Sequence, residues 1–283
     1  MVSKIVVSKN KTNDLINQGD VKNLAEETNR AFKSYLALLL VLAVFSGLST
    51  LLPEGGHFIT GDIIQVEPLA VIFNMAAAFI LYGILGLFGL RLAGEMELPR
   101  IYPGEYFDLR FVLEPAVFGI ILGVFYILLD ITLAPLHELG HLPHPDLSAA
   151  VISGVASAIS AELMYRLFLI PFIIYLIISL MKFFGKYEFF SRRKVSGRLF
   201  WTAALLAAVI FTAGHFYKLL STLETVSLAE MSDLLILKII LMNLSLALLA
   251  AWQYKRYGFL SAVLLHIWLI VSWNIVWGNF ILN

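Results

Sequence analysis

The sequence predicts an all-α fold, a polytopic helical bundle crossing a bilayer about seven times, and three observations predict it. Apolar residues make up 60% of the 283-residue chain and charged residues only 14%, where a soluble domain averages about 25% charged. Mean hydropathy is +0.86. The remaining charges fall mostly between apolar runs long enough to cross a hydrocarbon core about 30 Å thick. Net charge is zero, so the total points to no nucleic-acid partner. No cysteine is present, which excludes disulfides, thiolate metal sites and a cysteine nucleophile.

The runs are 31–52, 68–92, 111–136, 147–183, 199–220, 234–252 and 259–282. Residues 1–30, with Lys4, Lys9, Lys11, Lys22 and Arg30, form a polar segment too long for an ordinary cleaved leader. They are expected to be a cytoplasmic tail, with a short surface helix near 14–31. Residues 31–283 form one transmembrane domain. The fourth run is nearly twice the usual length, so it is either one helix kinked at Pro171 or two helices joined by a tight turn.

Lysine and arginine decide between those two. Six lie up to Lys33, none in 53–67, then come Arg91, Arg100 and Arg110, and none lies in 137–146. Six more fall between Lys182 and Arg198. One, Lys218, precedes the sixth run beside acidic residues, and Lys255 and Arg256 precede the last. Basic and non-basic connections alternate only if 147–183 crosses once. Seven spans follow, with the N-terminus cytoplasmic and the C-terminus external.

Ionisable groups inside spans usually have a partner or a task. The fourth span carries Glu162 and Arg166, the fifth His215 and the seventh His266 and Asn274. Glu162 and Arg166, four residues apart on one helix face, can neutralise each other. That pair alone fits a structural role equally well, and a lone intramembrane histidine fits a simple interhelical hydrogen bond. Together, a carboxylate and two imidazoles on three apolar helices can surround a cavity and activate water. The small-residue run 148–161 would let backbones approach closely enough to shape it.

These residues resemble the motifs of the CPBP intramembrane proteases, which include type II CAAX prenyl proteases and bacteriocin-processing enzymes. The family pattern is Glu-Glu-x-x-x-Arg, Phe-x-x-x-His and His-x-x-x-Asn. This chain has Glu162-x-x-x-Arg166, Phe211-x-x-x-His215, and Arg256-Tyr-Gly-Phe leading to His266, over roughly 147–274. The resemblance implies a glutamate-dependent intramembrane endopeptidase, with membrane lipids around it and a membrane-associated or prenylated peptide as substrate. Two positions depart. Ala161 stands at the family's first glutamate, its general base, and Glu162 lies about 100° further round the helix. Ile270 stands at the last position of the third motif, with Asn274 one turn on. A divergent protease, an inactive relative acting as a membrane scaffold, and a Glu-to-Ala variant are the three readings these departures leave open.

A second motif competes. His137-Glu-Leu-Gly-His141 is a literal His-Glu-x-x-His, which on a helix would hold zinc on two imidazoles. Pro135, Pro143 and Pro145 leave room for at most about two turns there. Zinc at His137 and His141 is the one candidate cofactor. A transporter is the second functional class, on Glu114, Asp130, Asn74, Lys238 and Asn243 inside other spans, although no internal repeat supports it.

Overall fold

A computed structural model describes residues 29–52, 67–99, 101, 109–137, 139–185, 195–223 and 231–282. The expected tail lies almost wholly outside the described residues. The chain divides into one unit ending at Leu38 and a second from Leu39 to Asn283, and the second carries every candidate site residue. Among the described residues there is no strand, and seven helices are long and apolar enough to cross a membrane. They are α1 (Asn29–Ser49), α2 (Glu67–Glu95), α3 (Arg110–Leu133), α4 (Leu147–Phe183), α5 (Gly197–Leu223), α6 (Asp233–Tyr257) and α7 (Phe259–Ile281). The outer faces of α2 and α3 expose Ile72, Ile80, Ile84, Leu113, Val117 and Ile121. Apolar area on that scale is a lipid-facing surface.

Helix ends follow local chemistry. α1 stops short of residue 52, where the Ser49 and Thr50 hydroxyls donate to the carbonyls of Ser46 and Gly47. Those bonds satisfy acceptors that a helix end leaves open. α6 runs past the expected 252 because its last turn packs. Gln253 and Tyr254 are buried, and Lys255 lies over the rings of Phe200 and Trp201. Gly258, at φ 88°, then ends the helix in a conformation that a side chain would resist.

The long fourth run is one continuous helix, as the charge alternation requires. It is not regular. Leu147–Glu162 is α-helical, Leu163–Leu169 is a π-helix, and Ile170–Phe183 is α-helical again. Pro171 gives the reason: it cannot donate to a carbonyl in the preceding turn, and its ring would crowd that turn. The chain widens there, and the Ile170 amide reaches the Tyr165 carbonyl five residues back.

α3 and α7 form the most extensive helix pair. Gly119-Ile-Ile-Leu-Gly123 places two glycines one turn apart on α3, where a side chain would collide with the Leu265 carbonyl and with Ser272. This small-xxx-small spacing lets the backbones touch. α4 packs on the other side of α7, and that contact brings Glu162 to His266.

Of the five polar residues that suggested a transport pathway, only Asn243 faces the large cavity described below. Asp130 and Lys238 are fully buried and paired at 2.7 Å. The Asn74 amide donates to the Ala70 carbonyl of its own helix. Glu114 sits at a surface groove, bonded to Tyr257 and Arg256. Asn243 also donates to the Ile239 carbonyl of its own helix, so each of the five has a bond or ion pair within the protein.

Candidate active site

Glu162 ends the first α-helical part of α4, about 22 Å along the axis from Leu147. Its side chain is fully buried and held on both sides. Oε1 accepts from His266 Nδ1 on α7 at 2.8 Å. Oε2 lies 2.9 Å from Arg166 Nε, an ion-pair contact whose N–H is not aligned for a hydrogen bond. The guanidinium sits over the Phe211 ring at 5.0 Å, and its Nη1 and Nη2 are buried without hydrogen-bond partners. Two opposite charges in contact at this depth need each other. An isolated buried carboxylate would cost several kcal/mol, roughly.

The carboxylate also sets the histidine tautomer. A carboxylate oxygen only accepts, so His266 carries its proton on Nδ1, and the neutral ring keeps its lone pair on Nε2. His215 on α5 is set in the same way. Its Nδ1 lies 3.0 Å from the Phe211 carbonyl, another pure acceptor. The Phe211 ring packs on the His215 ring at 4.2 Å and beneath Arg166. One chain of contacts therefore runs from His266 through Glu162, Arg166 and Phe211 to His215.

Both imidazoles line a cavity of about 420 Å³ between α3, α4, α5, α6 and α7. Asn274 and Asn243 also face it, as do Ser153 and Ser157 of the small-residue run. Glu162 and Arg166 do not line it; they stand behind His266. Asn274 reaches the cavity because α7 changes register. In an α-helix the eight residues from His266 would leave Asn274 about 80° off its face. From Val271 to Ile281 the helix is π, and its wider turn advances less per residue, which brings Asn274 back. π-segments are frequent at functional sites. Here two of them hold Arg166 and Asn274.

Ser153, Ser157 and Ala161 stand at i, i+4 and i+8 on α4, and all three are partly accessible in a largely buried stretch. Ser153 and Ser157 line the cavity; Ala161 does not, standing one turn beyond Ser157 and about 40° further round the helix.

The segment 137–146 forms the roof. Leu142, Pro143 and Pro145 line the cavity from above. His144 Nδ1 lies 3.4 Å from Asn274 Oδ1, its ring packs on Trp273, and Asn279 donates to the Pro145 carbonyl. Burial holds the His144 imidazole below the usual histidine range. His137 and His141 do not share a helix face: the described residues between them are a turn, with Gly140 at φ 66°. His141 Nδ1 is 2.6 Å from Asp130, and His137 Nε2 is 3.3 Å from the Lys238 ammonium. Among the described residues the two histidines are not presented from one helix, and the Lys238 ammonium stands beside His137. Among the described residues no three His, Cys, Asp or Glu side chains are grouped to hold a metal.

The structure thus places His215, His266 and Asn274 on one cavity, with Glu162 and Arg166 behind His266 and not on the cavity as the sequence led us to expect, while His137 and His141 do not line it. Sequence reasoning missed Ser153, Ser157 and His144 at the cavity and its roof. The serine spacing was a usable signal; nothing local marked His144.

One protein-family model, described as Type II CAAX prenyl endopeptidase Rce1-like, matches residues 143–272. That stretch begins at the cavity roof and takes in Glu162, Arg166, His215 and His266, while Asn274 lies just beyond it. Comparison with curated proteins and with solved structures found no match.

Proposed function

We propose, from the premise that this chain belongs over residues 143–272 to the CPBP family of intramembrane proteases, that it is built to hydrolyse a peptide bond of a membrane-associated substrate inside the bilayer. One observation carries the proposal: two histidines with their protons pinned on Nδ1 line the same intramembrane cavity, one of them backed by a buried carboxylate. His266 Nε2 takes a proton from water as the water oxygen bonds to the substrate carbonyl carbon. Glu162 stabilises the imidazolium that forms, and Arg166 holds the second carboxylate oxygen of Glu162. Asn274, whose Oδ1 faces His144, turns its amide donor to the carbonyl oxygen as charge develops there. The C–N bond then breaks, and a proton passed through the imidazoles leaves with the amine. A prenylated peptide is the substrate class that the family description favours.

The test compares two pairs of histidines in purified protein reconstituted in liposomes, using a farnesylated peptide as probe. His215→Ala and His266→Ala are each expected to lower cleavage about 10²–10⁴-fold. The double change His137→Ala with His141→Ala is expected to retain it. A stable, metal-free and inactive His137/His141 variant would overturn the assignment in favour of a zinc site at the roof.

A second reading is favoured by one residue. Ala161 leaves the chain without the carboxylate at the family's first glutamate position, which suits a scaffold that binds membrane peptides without cutting them. The two readings share a topology, for which the charge alternation supports a cytoplasmic N-terminus. In intact cells Lys194→Cys is expected to resist a membrane-impermeant maleimide, and Asn283→Cys to react with it. The opposite labelling pattern would invert the protein in its membrane.

A further inference from the structure

Asn243 faces the cavity, yet the reaction proposed above gives it no task. It stands near the middle of α6, and the other α6 residues on the cavity wall are Ile239, Met242 and Leu246. A polar amide at that depth is costly wherever it lacks a hydrogen bond, and a leucine would serve packing better. Only one end of the amide is used within the protein. Nδ2 donates to the Ile239 carbonyl at 2.9 Å. A carbonyl only accepts, so this bond decides which end of the amide is the nitrogen. Oδ1 is the end left over. It accepts no hydrogen bond among the described residues, and it is not sealed in. We infer that Asn243 Oδ1 accepts a backbone N–H of the peptide that occupies the cavity, and so fixes the register in which that peptide lies. The inference rests on the cavity taking a membrane peptide, a premise that the protease and scaffold readings share.

The mount of this oxygen is rigid. The Met242 carbonyl beside it accepts from the Tyr126 hydroxyl of α3 and, at 2.9 Å, from the Ser245 hydroxyl. The first bond ties α6 to α3 one residue from Asn243, and the Ile239 bond holds the amide itself. Little freedom is therefore left to lose when a ligand binds.

The ligand supplies the need. A peptide bond can be reached inside a bilayer only if the chain around it is unwound. Unwinding strips backbone N–H groups of their helical acceptors in a medium that offers no others. The cavity wall must replace them. Ser153 and Ser157 carry hydroxyls that rotate and can give or take. Tyr126 has committed its proton to Met242. The two imidazoles handle the reacting water, and Asn274 acts there as a donor. Among the described side chains of the wall, Asn243 Oδ1 is the acceptor that carries no proton and no other task. An extended backbone offers both a C=O and an N–H, and Asn274 with Asn243 answers one of each.

The test is binding of the farnesylated peptide to the full chain in phosphatidylcholine nanodiscs. Fluorescence polarisation reads it, or kcat/KM where the peptide is turned over. Each backbone N–H of the peptide is methylated in turn. Methylation at one position is expected to weaken binding about tenfold, the usual effect of leaving one acceptor unpaired. Asn243→Leu keeps the size of the side chain and the preference for helix. It should bind the unmodified peptide about tenfold more weakly and be blind to methylation at that position. Asn243→Ala provides the same reading with a smaller side chain. A methyl group that merely collides with the wall would be felt equally by parent and variants, and equal losses would overturn the inference. A parent chain that binds the peptide with no sensitive amide would overturn it alone, without any variant. A parent chain that binds no peptide would remove the peptide-site reading and this inference with it.

Discussion

Ala161→Glu is expected to raise peptide hydrolysis about 10²–10⁴-fold over the parent chain, the usual contribution of a positioned general base. Helix register carries the expectation. Residue 161 is partly accessible and stands one turn beyond Ser157, which lines the cavity. A glutamate side chain there leans toward the helix N-terminus, and so back toward Ser157 and the cavity that both imidazoles line. Glu162 cannot supply this function directly, because His266 and Arg166 occupy its two oxygens. Its part is to orient and stabilise His266, so Glu162→Gln should cost activity in either background through the imidazolium. Cleavage must be normalised to protein that remains stable in detergent, since Glu162→Gln also strips Arg166 of its counter-charge. A folded but inactive Ala161→Glu protein would favour the scaffold reading. A parent chain already active, unmoved by Ala161→Glu and abolished by Glu162→Gln, would mean that the Glu162–His266 pair suffices alone.

What could be read from the sequence depended on how local the cause was. Spans and their number follow from apolar length and from where Lys and Arg fall, both properties of short windows, and the helices match them closely. The union of Glu162 with His266 was legible because each is a costly group in hydrocarbon and costly groups seek partners. Which oxygen meets which nitrogen was not legible, since it depends on how α4 rolls against α7. The two π-segments escaped notice for a related reason. Pro171 announces a disturbance near Arg166, yet a kink and a π-turn both answer it, and tertiary packing chooses between them. No residue announces the π-segment that carries Asn274. The Gly119/Gly123 spacing was readable as a contact stripe, but not its partner helix. Least legible was the setting of the His-Glu-x-x-His pattern. Its meaning turns on Asp130 and Lys238, one on the preceding helix and the other far along the chain, which no local pattern could reveal.

That buried pair yields the largest expected effect on stability. Asp130→Asn should destabilise the protein by about 3–5 kcal/mol, the usual cost of stranding one charge of a buried ion pair. Lys238 would keep only His137 Nε2 at 3.3 Å and the Gly140 carbonyl at 3.5 Å, and among the described residues no second anion reaches it. Lys238→Met should cost less. The Asp130 carboxylate would still accept from His141 Nδ1 at 2.6 Å, the Leu142 amide at 3.2 Å and Trp277 Nε1 at 3.4 Å. The double change, Asp130→Asn with Lys238→Met, removes both charges, and similar replacements elsewhere are often close to neutral. It should therefore be more stable than Asp130→Asn alone. A double-mutant cycle on thermal unfolding in one detergent reads this coupling directly. The same cycle separates structure from chemistry, because Asp130 ties down the cavity roof at His141 and Leu142 but touches neither His215 nor His266. Activity in the double variant should recover with stability. Full stability without activity would instead place Asp130 or Lys238 in the reaction itself, and simple additivity of the two single changes would mean that the pair does not hold the roof as a unit.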